Sequence, residues 1–331
     1  MSLNHEDCAS PELVEALIST SQRANHVLNF VLTFATVFLT IIAIKVLVYH
    51  SIFHNTTRIL LFTGLFYANL HEICKSFGRG KTLNRSLTYG NYPCRILISS
   101  YDCRYETHVI VGSIAGMVLT ECALTLDRVI ATFMPNFHSA FVNAAGVVLT
   151  VVVGILSVLI PVTVLWNEPY VGDVPQCTQP PVSSFERINF LLQLYTFINV
   201  FNLIVNAAII FVNRRQELST RYVLAGRYRS YETLITSQAI CCICISQFLA
   251  LGFYSGSVLY LRLIKKEIGL SLFNRFVVWL YVVPYASVSL PLLIVLSVSM
   301  VGRHRRSVIK AITHKKETQE QHMRSLKKMW N

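Results

Sequence analysis

The sequence predicts an all-α membrane protein folded as a bundle of seven transmembrane helices. Three observations lead there. Of 331 residues, 53% are apolar and only 14% charged, and the mean hydropathy is +0.50, a balance too apolar and too charge-poor for an ordinary soluble protein. The apolar residues gather into seven runs, each near the roughly 20 residues that a helix needs to cross a bilayer. The basic residues behind the net charge of +12 sit in the loops between these runs and in the tail. Orientation at a membrane surface accounts for them there, so no nucleic-acid partner is expected.

Residues 1–25 begin MSLNHEDCASPELVEALISTSQR, a polar and acidic segment without the basic stretch and short apolar core of a cleavable signal. The first span is therefore expected to target the chain itself. It covers about residues 26–49, and its interior Lys45 lies near the end, where it can snorkel to the headgroups. Span two, about 59–77, starts apolar and turns polar in NLHEICK. Span three, about 107–133, contains HVIVGSIAGMVLTECALTLDRVIATF, with Glu121 inside and Asp127-Arg128 near its end. Charges inside a spanning helix are costly and so are functional candidates. Cys103 stands 25 positions before Arg128, roughly 37 Å along a helix, close to the separation of the two headgroup layers.

Span four, about 142–166, holds Gly154 and Pro161, and the proline is expected to kink the helix rather than break it. The Pro-rich loop that follows reads as ordered but not helical. Span five, about 188–213, carries Asn199, Asn202 and Asn206 at three- and four-residue spacing, a stripe that should face other helices. The basic loop after it is long enough to extend the flanking helices beyond the bilayer. Span six covers about 234–261 and span seven about 274–300, the latter with Pro284 and Pro291 inside. Residues 301–331 form a basic tail.

Seven spans put the chain ends on opposite sides, so charge chooses between two orientations. With the N-terminus outside, 11 Lys/Arg lie outside and 17 at the inner helix ends, third inner loop and tail. The positive-inside rule then makes residues 1–25 extracellular and the tail cytoplasmic. Cys8, Cys94, Cys103 and Cys177 fall outside, where disulfides are stable, and four cysteines allow three pairings. Cys103 with Cys177 is favoured because it ties the outer end of span three to the Pro-rich loop. Cys8 and Cys94 remain, either as a second pair or as two free thiols. The sequon Asn84-Arg85-Ser86 lies outside and is open to glycosylation, whereas Asn55-Thr56-Thr57 lies inside.

On span two, His71, Glu72 and Lys75 cluster. Glu72 and Lys75 are three apart, and the simplest reading is mutual neutralisation along the helix. The alternative is that the three line a ligand cup, with Tyr195 and Asn199 of span five facing it. Glu121, seven residues before Arg128 and on the same face, could hold a polar network inside the bundle. No metal site or cofactor is expected. His50 and His54 lack a third ligand nearby, and the CCIC cluster of span six has no basic partner to deprotonate it. Neither a His-Glu-x-x-His nor a Gly-x-Ser-x-Gly stretch occurs, so the chain does not read as an enzyme.

Seven helices starting outside, a cysteine at the outer end of span three with a partner in the next outer loop, and an acid-arginine pair at its inner end together resemble a G-protein-coupled receptor. In that family the arginine is held by its neighbouring acid at rest and freed when the inner ends of the helices separate. The matching residues are Asp127 and Arg128, with Val129 where the family's third, aromatic member would stand. The rhodopsin-like signatures are missing: SLPLLI surrounds Pro291, span six has no Trp-x-Pro, and span seven has no lysine for retinal. LDRVIATF, the Arg-Tyr-rich approach to span six, LPLLI in span seven and the closing HMRSLKKMW make essentially the whole chain similar to the nematode serpentine chemoreceptors of class alpha or the closely related class AB.

That resemblance implies a chemosensory receptor in the plasma membrane of a sensory neuron, binding a small-molecule ligand from outside and activating a heterotrimeric G protein. Membrane lipid is the further partner, with Val308, Ile309 and Ile312 of the tail meeting lipid and its Lys/Arg meeting anionic headgroups, unless the tail is simply solvated. A ligand-gated channel or a transporter with seven spans is the alternative. No filter-like stretch is visible for the first, and an odd span count fits poorly with the related halves of the second.

The orientation is directly testable. Glycan attaches at Asn84 and not at Asn55, so the gel shift on glycosidase treatment disappears with Asn84→Gln and survives Asn55→Gln. A shift lost with Asn55 would invert the topology.

Overall fold

The computed structural model describes residues 8–50, 53–134, 142–177, 184–219 and 224–314, together with Met323 and Lys327. The order is α1 (Pro11–Ile18), α2 (Thr20–Tyr49), α3 (Asn55–Thr88), α4 (Pro93–Ile96), β1 (Ile98–Ser99), α5 (Arg104–Phe133), α6 (Val142–Val164), β2 (Asp173–Val174), α7 (Phe185–Ser219), α8 (Leu224–Leu263), α9 (Lys265–Trp279) and α10 (Val283–His314). Among the described residues, six segments are helical, long and apolar enough to cross a membrane. The remaining span is α3, 34 residues long but too polar to qualify by composition. Its polar residues are turned inward, and this makes a membrane helix of a sequence that averages near neutral hydropathy.

The arrangement is that of a protein dissolved in lipid. Phe34, Phe38, Phe66, Phe77, Phe190, Phe197, Phe201 and Phe211 are exposed, while Asn199, Asn202, Asn206 and Gln247, with Glu72, Lys75 and Arg79 of α3 and Glu106, Glu121, Asp127 and Arg128 of α5, are buried. Helix α5 forms the axis: 78% of its most apolar stretch is buried, against 17% for α6 at the edge. It packs along α3, α6 and α7. The seam with α3 and α6 depends on small residues. A Cβ on Gly112 would lie 2.8 Å from the Ser157 carbonyl oxygen, and one on Gly116 would run into the Tyr67 ring. Glycine permits this close approach, and Tyr67 and Ser157 join their hydroxyls across it at 2.8 Å. The asparagine stripe of α7 faces its neighbours: Asn206 donates to Thr125 on α5 at 2.8 Å and Asn213 to Ser237 on α8 at 3.2 Å.

Several boundaries differ from the sequence expectation, each for a local reason. The seventh span is not one helix over 274–300. The chain breaks at Leu280–Val282, because Pro284 cannot donate an amide and is tolerated only in the first turn of the next helix. Pro291 does lie within α10. Helix α3 runs on past residue 77 to Thr88, since Ser86 donates to the Leu17 carbonyl at 2.9 Å and Arg23 donates to the Ser86 carbonyl at 3.3 Å. The N-terminal segment is itself partly helical. Ser10 caps α1 and Ser19 caps α2, the latter accepting from the Gln22 amide at 3.2 Å. At the other end α10 continues to His314. The side chains of Val308, Ile309 and Ile312, and residues 315–322 of the tail, lie outside the described residues.

One end of the bundle is stapled. Cys103 is joined to Cys177 and Cys8 to Cys94, with sequence separations of 74 and 86. The first bond sits beside the antiparallel β1–β2 pairing of Ile98 with Val174 and Ser99 with Asp173. It packs with Ile98 and Val174, and Thr107 donates to the Cys177 carbonyl at 3.3 Å. Asn84 is exposed at this end of α3, while Asn55 opens the opposite end and donates to Asn143 at 3.3 Å.

Because one covalent link closes a loop of 74 residues, Cys103→Ser, Cys177→Ser and the double replacement should each lower stability by the same amount, about 4 kcal/mol in the chain-entropy treatment. Thermal melts and surface expression check this. Additive losses would show the two thiols acting separately, and a Cys94–Cys177 peptide under non-reducing digestion would overturn the pairing.

Candidate functional sites at the two ends of the bundle

At the end of α5 away from the disulfides, Asp127 and Arg128 are 1% and 3% exposed. Arg128 Nη2 donates to Asp127 Oδ2 at 2.5 Å and meets the Thr57 hydroxyl at 2.6 Å, while Thr57 donates to Asp127 Oδ2 at 2.7 Å. Three groups on two helices thus close a triangle around one arginine. Arg128 Nε has no hydrogen-bond partner, so the guanidinium is held on one edge. Charges this deeply buried persist only while paired, and removing one partner of such a pair typically costs about 3–5 kcal/mol. Thr57 was not singled out from the sequence. It belongs to the sequon expected to lie inside, and the only cue to its role is its place in the first turn of α3.

The second cluster lies toward the disulfide end of α3. His71, Glu72, Lys75 and Arg79 share one face at helical spacing and are all buried. The expected Glu72–Lys75 pair is not formed. His71 Nδ1 meets Glu72 Oε1 at 2.9 Å and the Thr33 hydroxyl donates to Glu72 Oε2 at 3.2 Å, so both carboxylate oxygens are taken up elsewhere. Lys75 Nζ instead lies 3.4 Å from the centre of the Tyr281 ring, a cation-π contact. The Tyr281 hydroxyl meets His71 Nε2 at 2.7 Å, and its ring packs edge-on against Tyr254 at 4.9 Å. Tyr281 stands in the break between α9 and α10, which lets its side chain reach across the bundle to α3.

Tyr195 belongs to the same packed cluster as Tyr281 and Tyr254, and its hydroxyl has no partner. Asn199, one turn deeper, is fully buried with both side-chain atoms unpartnered. The same is true of both ring nitrogens of His26 on α2. Unsatisfied polar groups are rare in native interiors, and those of His26, Tyr195 and Asn199 lie in the half of the bundle that holds the His71 cluster. Arg79 escaped the sequence reading although its spacing from Lys75 was legible. Tyr281 and His26 come from distant helices and had no local cue.

Between the two clusters, Glu121 and Gln247 line a cavity of about 10 Å³, also bounded by Leu61, Gly64 and Leu290, room for a single water. Glu121 Oε2 and Gln247 Oε1 lack protein partners, while Gln247 donates to the Ala286 carbonyl at 3.2 Å.

Comparison with known proteins agrees along the whole chain. Residues 3–330 match the family described as "Serpentine type 7TM GPCR chemoreceptor Sra". The chain is 36% identical over 329 residues to "Serpentine receptor class alpha-10" of Caenorhabditis briggsae, covering 99% of each, and 36% identical to the protein of the same name from Caenorhabditis elegans, covering 99% of this chain and 98% of that one. With "Serpentine receptor class alpha-7" of Caenorhabditis elegans it shares 32% over 289 residues, covering 87% of this chain and 88% of the relative.

The bridging role of Tyr281 sets a graded expectation. Tyr281→Phe removes only the hydroxyl bond to His71 and lowers stability by about 1 kcal/mol. Tyr281→Ala also removes the ring beneath Lys75 and leaves a cavity, for a loss of about 3–5 kcal/mol. Melting of the purified protein in detergent measures both, and equal effects would show that the hydroxyl, not the ring, carries the contact.

Proposed function

The chain belongs to the Sra family of serpentine seven-transmembrane chemoreceptors, and on that premise we propose that it binds a small molecule at the His71 cluster from outside the cell and activates a heterotrimeric G protein through its Arg128 end. What carries the reading is that two buried polar clusters stand apart along α3, one closed by Asp127 and Arg128 of α5 and the other by Tyr281 of the joint before α10. From Thr57 to His71 along α3 is about 21 Å at 1.5 Å per residue. One cluster holds unsatisfied groups suited to a ligand, and the other holds a charge pair suited to release.

The break at Leu280–Val282 supports a route between them. Tyr281 is fastened to His71 and Lys75, and α10 starts two residues later and runs the length of the bundle. A ligand that competes for those contacts frees the joint, and α10 can then change its tilt against α8 and α3 as a hinge motion. The Asp127–Arg128–Thr57 triangle is the other two-state element. When the ends of α7 and α8 part, the third inner loop is uncovered, and Arg128, held on one edge by Asp127 and Thr57, can turn from them toward a partner. Ligand binding favours that open population rather than creating it. The excess of basic residues toward the tail supports a cytoplasmic Arg128 end with the stapled end and Asn84 outside, and the family supports the plasma membrane as the site of action.

Asp127→Asn should raise ligand-independent signalling, since it weakens the closed state alone. A shift of about 1.4 kcal/mol changes the equilibrium about tenfold. Thr57→Val acts in the same direction, because it removes the hydroxyl that both charges share. Arg128→Ala abolishes coupling and leaves ligand binding intact on the far side of the membrane. Nucleotide exchange by a G protein, at rest and with ligand and normalised to surface receptor, measures all three. If the pair only anchors α5, every variant lowers expression and none changes signal per receptor, and unchanged signalling from Arg128→Ala would overturn the coupling mechanism.

A further inference from the structure

We propose that the ligand of the His71 cluster is a small organic acid, its carboxylate held by Lys75 and Arg79. The inference rests on the ligand-binding reading above and adds the chemical class. It comes from counting charges on every element that packs around the cluster. Helix α3 contributes Glu72, Lys75 and Arg79, buried to 1%, 3% and 3% exposure. Helix α5 contributes Glu106, whose Oε2 is bound by Lys81 at 3.3 Å and whose Oε1, packed against Gly78, has no hydrogen-bond partner. Helix α2 contributes His26, Asn25 and Thr33, and the joint before α10 contributes Tyr281. The next cations are engaged elsewhere, Arg23 on the Ser86 carbonyl and Arg275 on Glu15 at 2.8 Å. Three cations, Lys75, Arg79 and Lys81, thus share two carboxylates, and Lys81 is the half-exposed member of the set.

The surplus falls on Lys75 and Arg79. Glu72 gives its oxygens to His71 and Thr33, and among the described residues neither Lys75 nor Arg79 forms an ion pair with a carboxylate. Arg79 Nη1 donates to the Asn25 amide oxygen at 3.3 Å, a neutral acceptor. Lys75 rests on the Tyr281 ring. Buried cations with only neutral partners are strongly unfavourable in a bilayer, and an incoming carboxylate would supply the missing negative charge. Arginine offers it a fork of donors, Lys75 offers a point charge, and the unpartnered His26 ring stands ready as a further donor or acceptor. The apolar body of the acid would meet Tyr281, Tyr254 and Tyr195, which line one packed cluster. An amine of the same shape would add to the surplus charge instead.

The test uses the full chain, purified in an uncharged detergent without lipid, and reads its melting temperature. The probes are straight-chain acids from butanoate to decanoate and phenyl-substituted acids, each beside its methyl ester and its amine. At least one acid should raise the melting temperature where its ester and amine do not. Lys75→Gln and Arg79→Gln should each weaken that acid about tenfold or more, while Lys75→Arg, which keeps the charge, retains the preference. Without any ligand, Lys75→Gln should melt at the same temperature as the parent chain or higher, because it removes an uncompensated buried cation. A lower melting temperature would make Lys75 an internal counter-ion and overturn the proposal, as would an ester or amine that matches every acid, or a full series without effect. If only vesicles containing phosphatidic acid stabilise the chain, a lipid phosphate supplies the charge and the soluble acid is excluded. Acid binding without nucleotide exchange would leave this assignment standing and sink the coupling, so the two failures are separable.

Discussion

In hydrocarbon a polar group finds no partner except another part of the chain, and that one constraint arranges every helix of this protein. It turns the phenylalanines of α2, α3 and α7 outward and the asparagines of α7 inward. It explains why α5, which carries Glu121, Asp127 and Arg128, is the buried axis, and why α6, with no charged residue from Val142 to Val164, can stand at the edge. It also explains α3. A helix with His71, Glu72, Lys75 and Arg79 on one face is stable in a bilayer only if that face meets α2, α5 and the joint before α10.

The same constraint makes the polar clusters tight. At the Arg128 end three donors and acceptors close on one another, so the resting arrangement is well defined and its alternative is an open one. Near the disulfide end the pairing is incomplete, with His26, Asn199 and Tyr195 unsatisfied and the three cations Lys75, Arg79 and Lys81 set against the two carboxylates of Glu72 and Glu106. Tyr281 joins this half to α10 because Pro284 prevents the seventh span from being continuous. A backbone break that would weaken a soluble helix here lets the Tyr281 side chain reach His71 and Lys75 on α3.

How much was legible follows from which physics is local. Hydropathy and length needed only consecutive residues, so six of the spans, the asparagine stripe and the acid-arginine pair could be read directly. The polar face of α3 was legible as a periodicity, but its internal pairing was not. Spacing alone favoured Glu72 with Lys75, whereas the structure gives Glu72 to His71 and Thr33 and Lys75 to Tyr281. Thr57 and Tyr281 could not have been chosen, since each reaches its site from another helix: Thr57 is 70 residues from Asp127 and Tyr281 is 210 from His71.

By itself, then, the sequence determined the class of solvent, the spans and the residue types that had to be buried, because transfer into lipid depends on composition and length within one segment. It also carried the motifs through which the chain resembles its family. The tertiary structure alone decided which buried groups are satisfied and which are left wanting. That distinction depends on atoms tens to hundreds of residues apart being brought within about 3 Å of one another, and no pattern along a single helix encodes it.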